Sequence, residues 1–281
     1  MTVNGGVITR FAPSPTGRLH LGHAYSAMRA HDLARAAGGR FLLRIEDIDP
    51  TRSREAFVGA IEEDLAWLGL AWDGEVVRQS RRLPLYAAVL ERLKTRGLVY
   101  PCFCTRAEIA ASAAAPHGDE GPVYPGTCRA LTPEQRRRRM HEPHCWRLDM
   151  GRAVATAPDL AWHDATAGRV RAAPAAQGDV VLARKDAPTS YHLAVTIDNA
   201  AQGVKDVVRG VDLFGATHVH RLLQALLGLP TPLYHHHPLL TGPDGKRLAK
   251  RSGARSLAEF RAGGVDPRHL LDQLRGRAAL A

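Results

Sequence analysis

The chain has 281 residues, 45% of them hydrophobic, which is enough for one large core or two joined ones and excludes wholesale disorder. Lysine and arginine outnumber aspartate and glutamate by 38 to 28, a formal net charge of +10 that suits a polyanionic partner, although an arginine-rich proteome would give the same balance. No apolar run approaches the roughly 18 residues of a membrane span, and "MTVNGGVITRF" lacks the basic flank and long apolar core of a secretory signal, so the expectation is a cytoplasmic protein with no membrane partner.

In chain order, "VITRF" is a short apolar, β-branched run bounded by "NGG" and "APSPTG", and reads as a buried strand. "HAYSAMRAHDLARAAGG" reads as a helix stopped by its glycines, and "RFLLRIEDID" as a second strand. Strand, glycine-bearing turn, helix and strand make a βαβ unit of a parallel sheet. "SREAFVGAIEEDLAWLGL" and "RRLPLYAAVLERLKTRGLVY" have the spacing of amphipathic helices. After Tyr100 the periodicity fades into a loop-rich insertion with a low-complexity stretch at Ala110–Ala115. "DVVLARKDAPTSYHLAVTIDNAAQGVKDVVRG" reads as strand-like segments and "ATHVHRLLQALLGL" as a helix. "PLYHHHPLLTGPDGKRLAKRSG" reads as a strand entering a glycine- and lysine-bearing loop.

The stretch with the most chemistry is "RFAPSPTGRLHLGH", Arg10 to His23. Its glycines, Gly17 and Gly22, sit where a parallel strand turns into a helix, the place where open α/β sheets bind ligands. Backbone N–H groups there can approach a phosphate. His20 and His23 can donate to a bound anion, cap the helix or hold a metal, and the HxGH spacing alone does not choose. Cys102, Cys104 and Cys128, with Tyr124 between them, admit a zinc site or a set of buried thiols; Cys145 reads as a small buried residue. Taken singly, Glu46 reads as a solvated charge at a strand end and Arg209 as half of a structural ion pair. His235–His237 alternate faces along a strand and so do not converge on a metal. Arg136–Arg139 follow a helix-start signal in "LTPEQ" and form either a solvated face or a contact to an RNA backbone.

"RFAPSPTGRLHLGHAYSA", "RIEDIDPTRS" and "VVRGVDL", in this order, resemble the catalytic domain of class I glutamyl-tRNA synthetases, with "HLGH" in the place of that class's HIGH signature. The likeness runs from about Arg10 to Ser256. The sequence reaches Ala281 without the large helical anticodon-binding region of a full glutamyl-tRNA synthetase. In this it is similar to the truncated paralogues, the glutamyl-Q tRNA(Asp) synthetases, which attach glutamate to the queuosine base of the tRNA(Asp) anticodon.

The resemblance implies an α/β, Rossmann-like class I catalytic domain carrying a loop-rich, zinc-containing insertion and a short helical C-terminal segment. It divides the chain at 1–97 and 187–240 for the two catalytic halves, 98–186 for the zinc-binding, acceptor-binding-like insertion, and 241–281 for the lysine loop and C-terminal helices, with no anticodon-binding domain. It implies activation of L-glutamate by ATP with Mg²⁺, independently of tRNA, and transfer to queuosine-containing tRNA(Asp) by a monomeric enzyme. The residues carried over for glutamate are Arg10, Phe11, Ala12, Pro13, Ser14, Glu46, Tyr191 and Arg209. Those for ATP are His20, Gly22, His23 and Lys250, with His20, His23 and Lys250 catalytic, and those for structural zinc are Cys102, Cys104, Tyr124 and Cys128. "KRLAKRSG" departs from the family's KMSKS loop: Lys250 matches its second lysine, whereas Arg247, Ala249 and Arg251 replace its other conserved members. Charging of a tRNA 3′ end, a catalytically inactive RNA-binding paralogue and a nucleotidyltransferase of the same superfold are the competing functions.

Overall fold

The computed structural model describes residues 6–105, 107–109, 123–241 and 255–278. Lys250, the other residues of its loop from 242 to 254, and Ala110–Ala115 lie outside the described residues.

The opening βαβ unit forms as its pattern requires. Strand β1 (Ile8–Phe11) pairs in parallel with β2 (Arg40–Ile45), and helix α1 (Leu21–Ala36) crosses between them. A two-residue β3 (Val77–Arg78) extends this sheet in parallel. Helix α2 (Glu55–Trp67) packs its apolar face, including Val58, Ile61 and Leu65, into the core around Phe41, Leu43 and Met28.

Helix α3 (Leu83–Thr95) is shorter than the amphipathic spacing predicts. Gly97 takes a left-handed φ of 66°, which ends the helix and lets "GLVY" leave as an extended chain. That chain is β4 (Val99–Cys102), antiparallel to β5 (Cys145–Leu148), which in turn pairs with β8 (Val181–Ala183). The insertion therefore has a small sheet of its own. Within it lie α4 (Pro133–Arg139) and α5 (Met150–Thr156), followed by the hairpin of β6 (Ala161–Asp164) and β7 (Gly168–Arg171). That hairpin, although inside residues 98–186, joins the catalytic side, because β6 pairs in parallel with β10 (Leu233–His237).

The span read as strand-like segments instead holds an 11-residue helix, α6 (Tyr191–Ala201), before β9 (Asp206–Gly210). Its β-branched residues suggest a strand, but Leu193, Ala194 and Ile197 recur at helical spacing and bury one face against α7 (Phe214–Leu227) and α3. Burial of that stripe overrides the weak local preference. Strands β9 and β10 are parallel, and β9 lies beside β1, with the Lys205 N–H donating to the Ile8 carbonyl at 3.0 Å. After the lysine loop, α8 (Leu257–Ala262) and α9 (Pro267–Ala278) add Leu257, Leu270, Leu271 and Leu274 to the first core. The Leu257 N–H bonds to Leu19 O at 2.8 Å, so this segment is fastened beside the HLGH stretch.

Candidate active site and thiol cluster

One cavity of about 550 Å³ opens where the carboxyl ends of β1, β2, β9 and β10 meet. Arg10, Phe11, Ala12, Pro13, Ser14, His20, Gly22, His23, Glu46, Tyr191 and Arg209 all line it. Residues scattered from position 10 to position 209 are thus brought to one place, and of the set expected for glutamate and ATP only Lys250 falls outside the described residues.

His20 is the N-cap of α1. Its Nδ1 accepts the Gly22 N–H at 3.1 Å, and His23 Nδ1 accepts the His20 N–H at 3.2 Å. Because each Nδ1 is an acceptor, each ring carries its proton on Nε2. The capping role and the anion-donor role are therefore compatible: one edge of each ring closes the helix while the ring lines the cavity. A Cβ on Gly22 would stand 3.0 Å from the His20 ring, so glycine permits this close packing.

Arg10 is buried, yet among the described residues it bonds only to uncharged acceptors: Nε to Asn199 Oδ1 at 3.3 Å and Nη1 to the Val208 carbonyl at 3.0 Å. Burial first, then the guanidiniums of Arg44 and Arg209, pull Arg10 down to about 10. Arg209 is likewise held by uncharged groups. Its Nε donates to His236 Nε2 at 3.1 Å, and its Nη1 to the Tyr191 hydroxyl and to His220 Nδ1, both at 3.3 Å. A guanidinium only donates, so His236 carries its proton on Nδ1, where it donates to Asp164 at 2.7 Å. His220 carries its proton on Nε2 and donates to His192 Nδ1 at 3.3 Å. Burial, reinforced by the Arg209 charge, pushes His192 and His236 down to about 4 and His220 well below its ordinary value. These rings stay neutral near neutral pH. The ion-pair reading of Arg209 is corrected: among the described residues no carboxylate forms an ion pair with it.

Glu46 is not a solvated strand-end charge. Its side chain is 10% exposed and receives Arg44 Nη2 at 3.0 Å. The fully buried Arg44 also donates to Asn199 Oδ1 at 3.1 Å and Gln202 Oε1 at 2.9 Å. Asn199 therefore ties Arg44 to Arg10. Beside it, buried Asp198 accepts from Gln79, Arg82 and Tyr86, each at 2.8 Å. Sequence reasoning missed this supporting layer. Its signal was an Asp-Asn pair inside an otherwise apolar helical stripe, which was masked by reading the segment as extended.

The three consecutive histidines take separate partners, as alternation requires: His235 meets Asp206 at 2.9 Å, His236 meets Asp164, and His237 meets Ser26 Oγ at 2.6 Å. His237 nevertheless lines the cavity, a role the sequence did not reveal. The Arg136–Arg139 helix is only partly a solvated face. Thr132 caps it, Arg139 pairs with Glu142 and lies over the Phe103 ring, and Arg138 pairs with Glu134.

In the insertion, the Sγ atoms of Cys102, Cys104 and Cys128 all lie within 4.8 Å of one another, the one such cluster of potential metal ligands among the described residues. Cys104 and Cys128 are 3.5 Å apart, near the ~3.8 Å that two thiolates on one tetrahedral zinc would span. The Tyr124 hydroxyl stands 3.7 Å from Cys104 Sγ and accepts the Cys128 N–H at 2.7 Å. Cys145 is buried in cross-strand register with Cys102. Hydrogen bonds from Cys145, then Tyr124 and Arg147, hold the Cys102 thiol well below its ordinary value, while burial pushes Cys104 up.

A nucleotide-sized cavity at parallel strand ends, closed on one side by an HLGH-capped helix, defines a class I tRNA synthetase catalytic domain. The sequence profile of the family "tRNA synthetases class I (E and Q), catalytic domain" matches residues 6–279, and the chain belongs to that family, within its glutamyl-Q tRNA(Asp) synthetase branch. The glutamyl-Q tRNA(Asp) synthetase of Rhodobacter capsulatus is 53% identical over 273 residues, covering 93% of this chain and 97% of the relative. That of Symbiobacterium thermophilum is 48% identical, covering 94% and 84%. Among solved structures, a glutamate tRNA ligase from Elizabethkingia meningosepticum in complex with its amino acid aligns with a TM-score of 0.73 at 29% identity. The alignment covers 88% of this chain but 52% of that longer one. No helix among the described residues is long and apolar enough to cross a membrane.

Proposed function

We propose that the protein activates L-glutamate with ATP, without tRNA, and transfers it to queuosine in the anticodon of tRNA(Asp). The observation that carries the first step is the charge pattern of the cavity. Two buried arginines, bonded among the described residues only to uncharged groups, supply positive charge for two carboxylates, and one partly buried carboxylate, Glu46, supplies a partner for one ammonium. Glutamate has this complement of charges. Its α-carboxylate would attack the α-phosphorus of ATP, forming the mixed anhydride as the bond to pyrophosphate breaks; Mg²⁺ enters with the nucleotide. His20 and His23, with protons on Nε2, would donate to the phosphate as charge develops, and Lys250 would meet the phosphates from its loop. The chain's part is orientation and charge stabilisation, not covalent catalysis.

The second step draws on the names of the relatives and on the net charge of +10, which suits an RNA partner. The enzyme is read as a monomer and its setting as cytoplasmic. Cys102, Cys104, Cys128 and Tyr124 fit one zinc ion by donor type and spacing. Such an ion supplies a cross-link, pinning a module whose own buried cluster is small.

Glutamate-dependent ATP–pyrophosphate exchange with tRNA omitted tests the first step, and exchange above background is expected. Transfer of labelled glutamate is then compared on tRNA(Glu) and on tRNA(Asp) with and without queuosine. Label should appear only on the queuosine-bearing tRNA(Asp). Label on tRNA(Glu), or on both forms of tRNA(Asp), would refute the acceptor while leaving activation intact.

A further inference from the structure

We propose that Cys145 is the reserve thiol of the insertion: on oxidation by a peroxide the four cysteines pair as Cys104–Cys128 and Cys102–Cys145. Three of the four sulfurs, those of Cys102, Cys104 and Cys128, form the mutually close set, and Cys145 is buried outside it. A set of three thiols is odd. Oxidation joins two of them and strands the third, which further oxidant carries to an irreversible sulfinic acid. Cys145 supplies the missing partner, so that the whole cluster can be oxidised and recovered.

Geometry selects the pairs. The Sγ atoms of Cys104 and Cys128 are 3.5 Å apart, and Cys104 is half-buried where the other three cysteines are buried, so oxidant reaches it first. Cys102 and Cys145 stand directly opposite each other in the antiparallel β4–β5 pair. Residues so placed have Cα atoms about 4.5–5.5 Å apart and side chains on one face, inside the about 4.4–6.8 Å that a disulfide spans. Their two thiols are already hydrogen-bonded. The sheet keeps this pair in register whether or not a metal is bound. In the first step the Cys104 sulfur attacks one peroxide oxygen and the O–O bond breaks. The other oxygen leaves as water, taking its proton from the thiol or, where a metal held the thiolate, from solvent. The Cys128 sulfur then attacks the sulfenic sulfur of Cys104, the S–O bond breaks and a second water leaves. Two thiols are oxidised and one peroxide is reduced. Because metal binding and local folding are coupled, loss of two ligands frees the metal and opens this end of the module. A second peroxide joins Cys102 to Cys145 by the same two steps, and a dithiol reductant reverses both bonds.

The test uses the full chain as purified without chelators, treated with hydrogen peroxide and then alkylated in denaturant. Free thiols should fall from four per chain towards none, and peptide mapping should find Cys104 joined to Cys128 and Cys102 to Cys145. A chromogenic chelator should report zinc leaving with the first disulfide, and dithiothreitol with added zinc should reload the protein. Cys145→Ala should instead leave Cys102 carrying added oxygens and should reload severalfold less zinc. A Cys145 thiol that stays free after peroxide would overturn the proposal, as would Cys145 joined to Cys104 or Cys128. Equal reloading of Cys145→Ala and the unaltered protein would overturn it too. Should Cys145→Ala fail to fold by circular dichroism, the peptide map of the unaltered protein decides alone. Both disulfides formed in a protein that carried no zinc at the start would uphold the pairing and bring down the zinc reading of the cluster.

Discussion

The glutamate-type cavity and the thiol cluster solve the problem of holding polar groups in place by opposite means. Around the cavity, Arg10, Arg44 and Arg209 are fixed by amides, carbonyls and neutral imidazoles supplied by helices and strands far apart in sequence, and Asp198 anchors that lattice through three further donors. The cavity is thus shaped before any ligand arrives. The insertion has a three-stranded sheet whose Val99, Leu148 and Leu182 join the aliphatic core shared with the catalytic helices, whereas its thiol end is a separate small cluster of Tyr100, Phe103, Tyr124 and the cysteines. The geometry of that thiol end would depend on what joins the sulfurs. The comparison teaches that substitutions in the first region should alter function with little effect on stability, and those in the second the reverse.

Arg10→Ala is the largest expected effect. Loss of a buried cation that faces a carboxylate should lower kcat/KM for glutamate in pyrophosphate exchange by at least about a hundredfold. Stability should fall little, because Arg44 and Arg209 lose a repelling neighbour. A protein that unfolds while its residual folded fraction keeps its affinity for glutamate would break the contrast between the two regions.

Cys102→Ser is the mirror experiment. Metal binding and local folding are coupled, so the zinc content, expected near one per chain by elemental analysis, should fall. The melting temperature should drop by several degrees, corresponding to about 2 kcal/mol or more. Exchange at low temperature should survive, because none of the cavity residues lies in the insertion. Zinc retained in full in Cys102→Ser would remove that ligand from the site.

How much of this could be read beforehand varied with sequence locality. The βαβ opening and the HLGH turn were legible because strand, turn, helix and strand follow one another with few long-range demands, and β1, α1 and β2 lie where the pattern puts them. Helix α6 was not, because its β-branched residues favour a strand and only packing against α3 and α7 reverses the choice. For the same reason Asn199, which ties Arg10 to Arg44, went unnoticed: a side chain's role as a bridge depends on partners 155 and 189 positions away. Glu46 and Arg209 could be picked by resemblance, but not the fact that one is largely withdrawn from solvent against Arg44 and the other bonded, among the described residues, to neutral groups. The thiol set was legible in its spacing, while the sheet that carries Cys102 was hidden by the apparent continuation of α3 into "GLVY".

The smallest expected effect concerns the acid limb of stability, and it sharpens the comparison by locating which region gives way. His236 has a folded value of about 4 against an ordinary 6.5. Above pH 6.5 it is neutral in both states and contributes no pH dependence. As pH falls from 6.5 towards 4, the unfolded chain takes up a proton that the folded protein refuses, so stability declines across that window and levels off below it. His192 behaves in the same sense, with a folded value also of about 4. His220, held well below its ordinary value, behaves in the same sense, and the three rings around Arg209 give a slope of up to about 4 kcal/mol per pH unit, an upper bound that relaxation around the rings would reduce. His236→Asn removes one of these three titrating rings and should lower their slope between pH 6 and 4.5 by about a third, whatever its effect on absolute stability. The thiol cluster also fails in acid, because its ligands must be deprotonated to hold a metal, but that loss is separable by following zinc release with a chromogenic chelator. Urea unfolding of the chelator-stripped protein from pH 7.5 to 4.5 isolates the contribution of the cavity. If the stripped His236→Asn variant keeps the full acid slope, the neutral rings around Arg209 are not its source, and the region described as rigid and ligand-independent is not where acid acts.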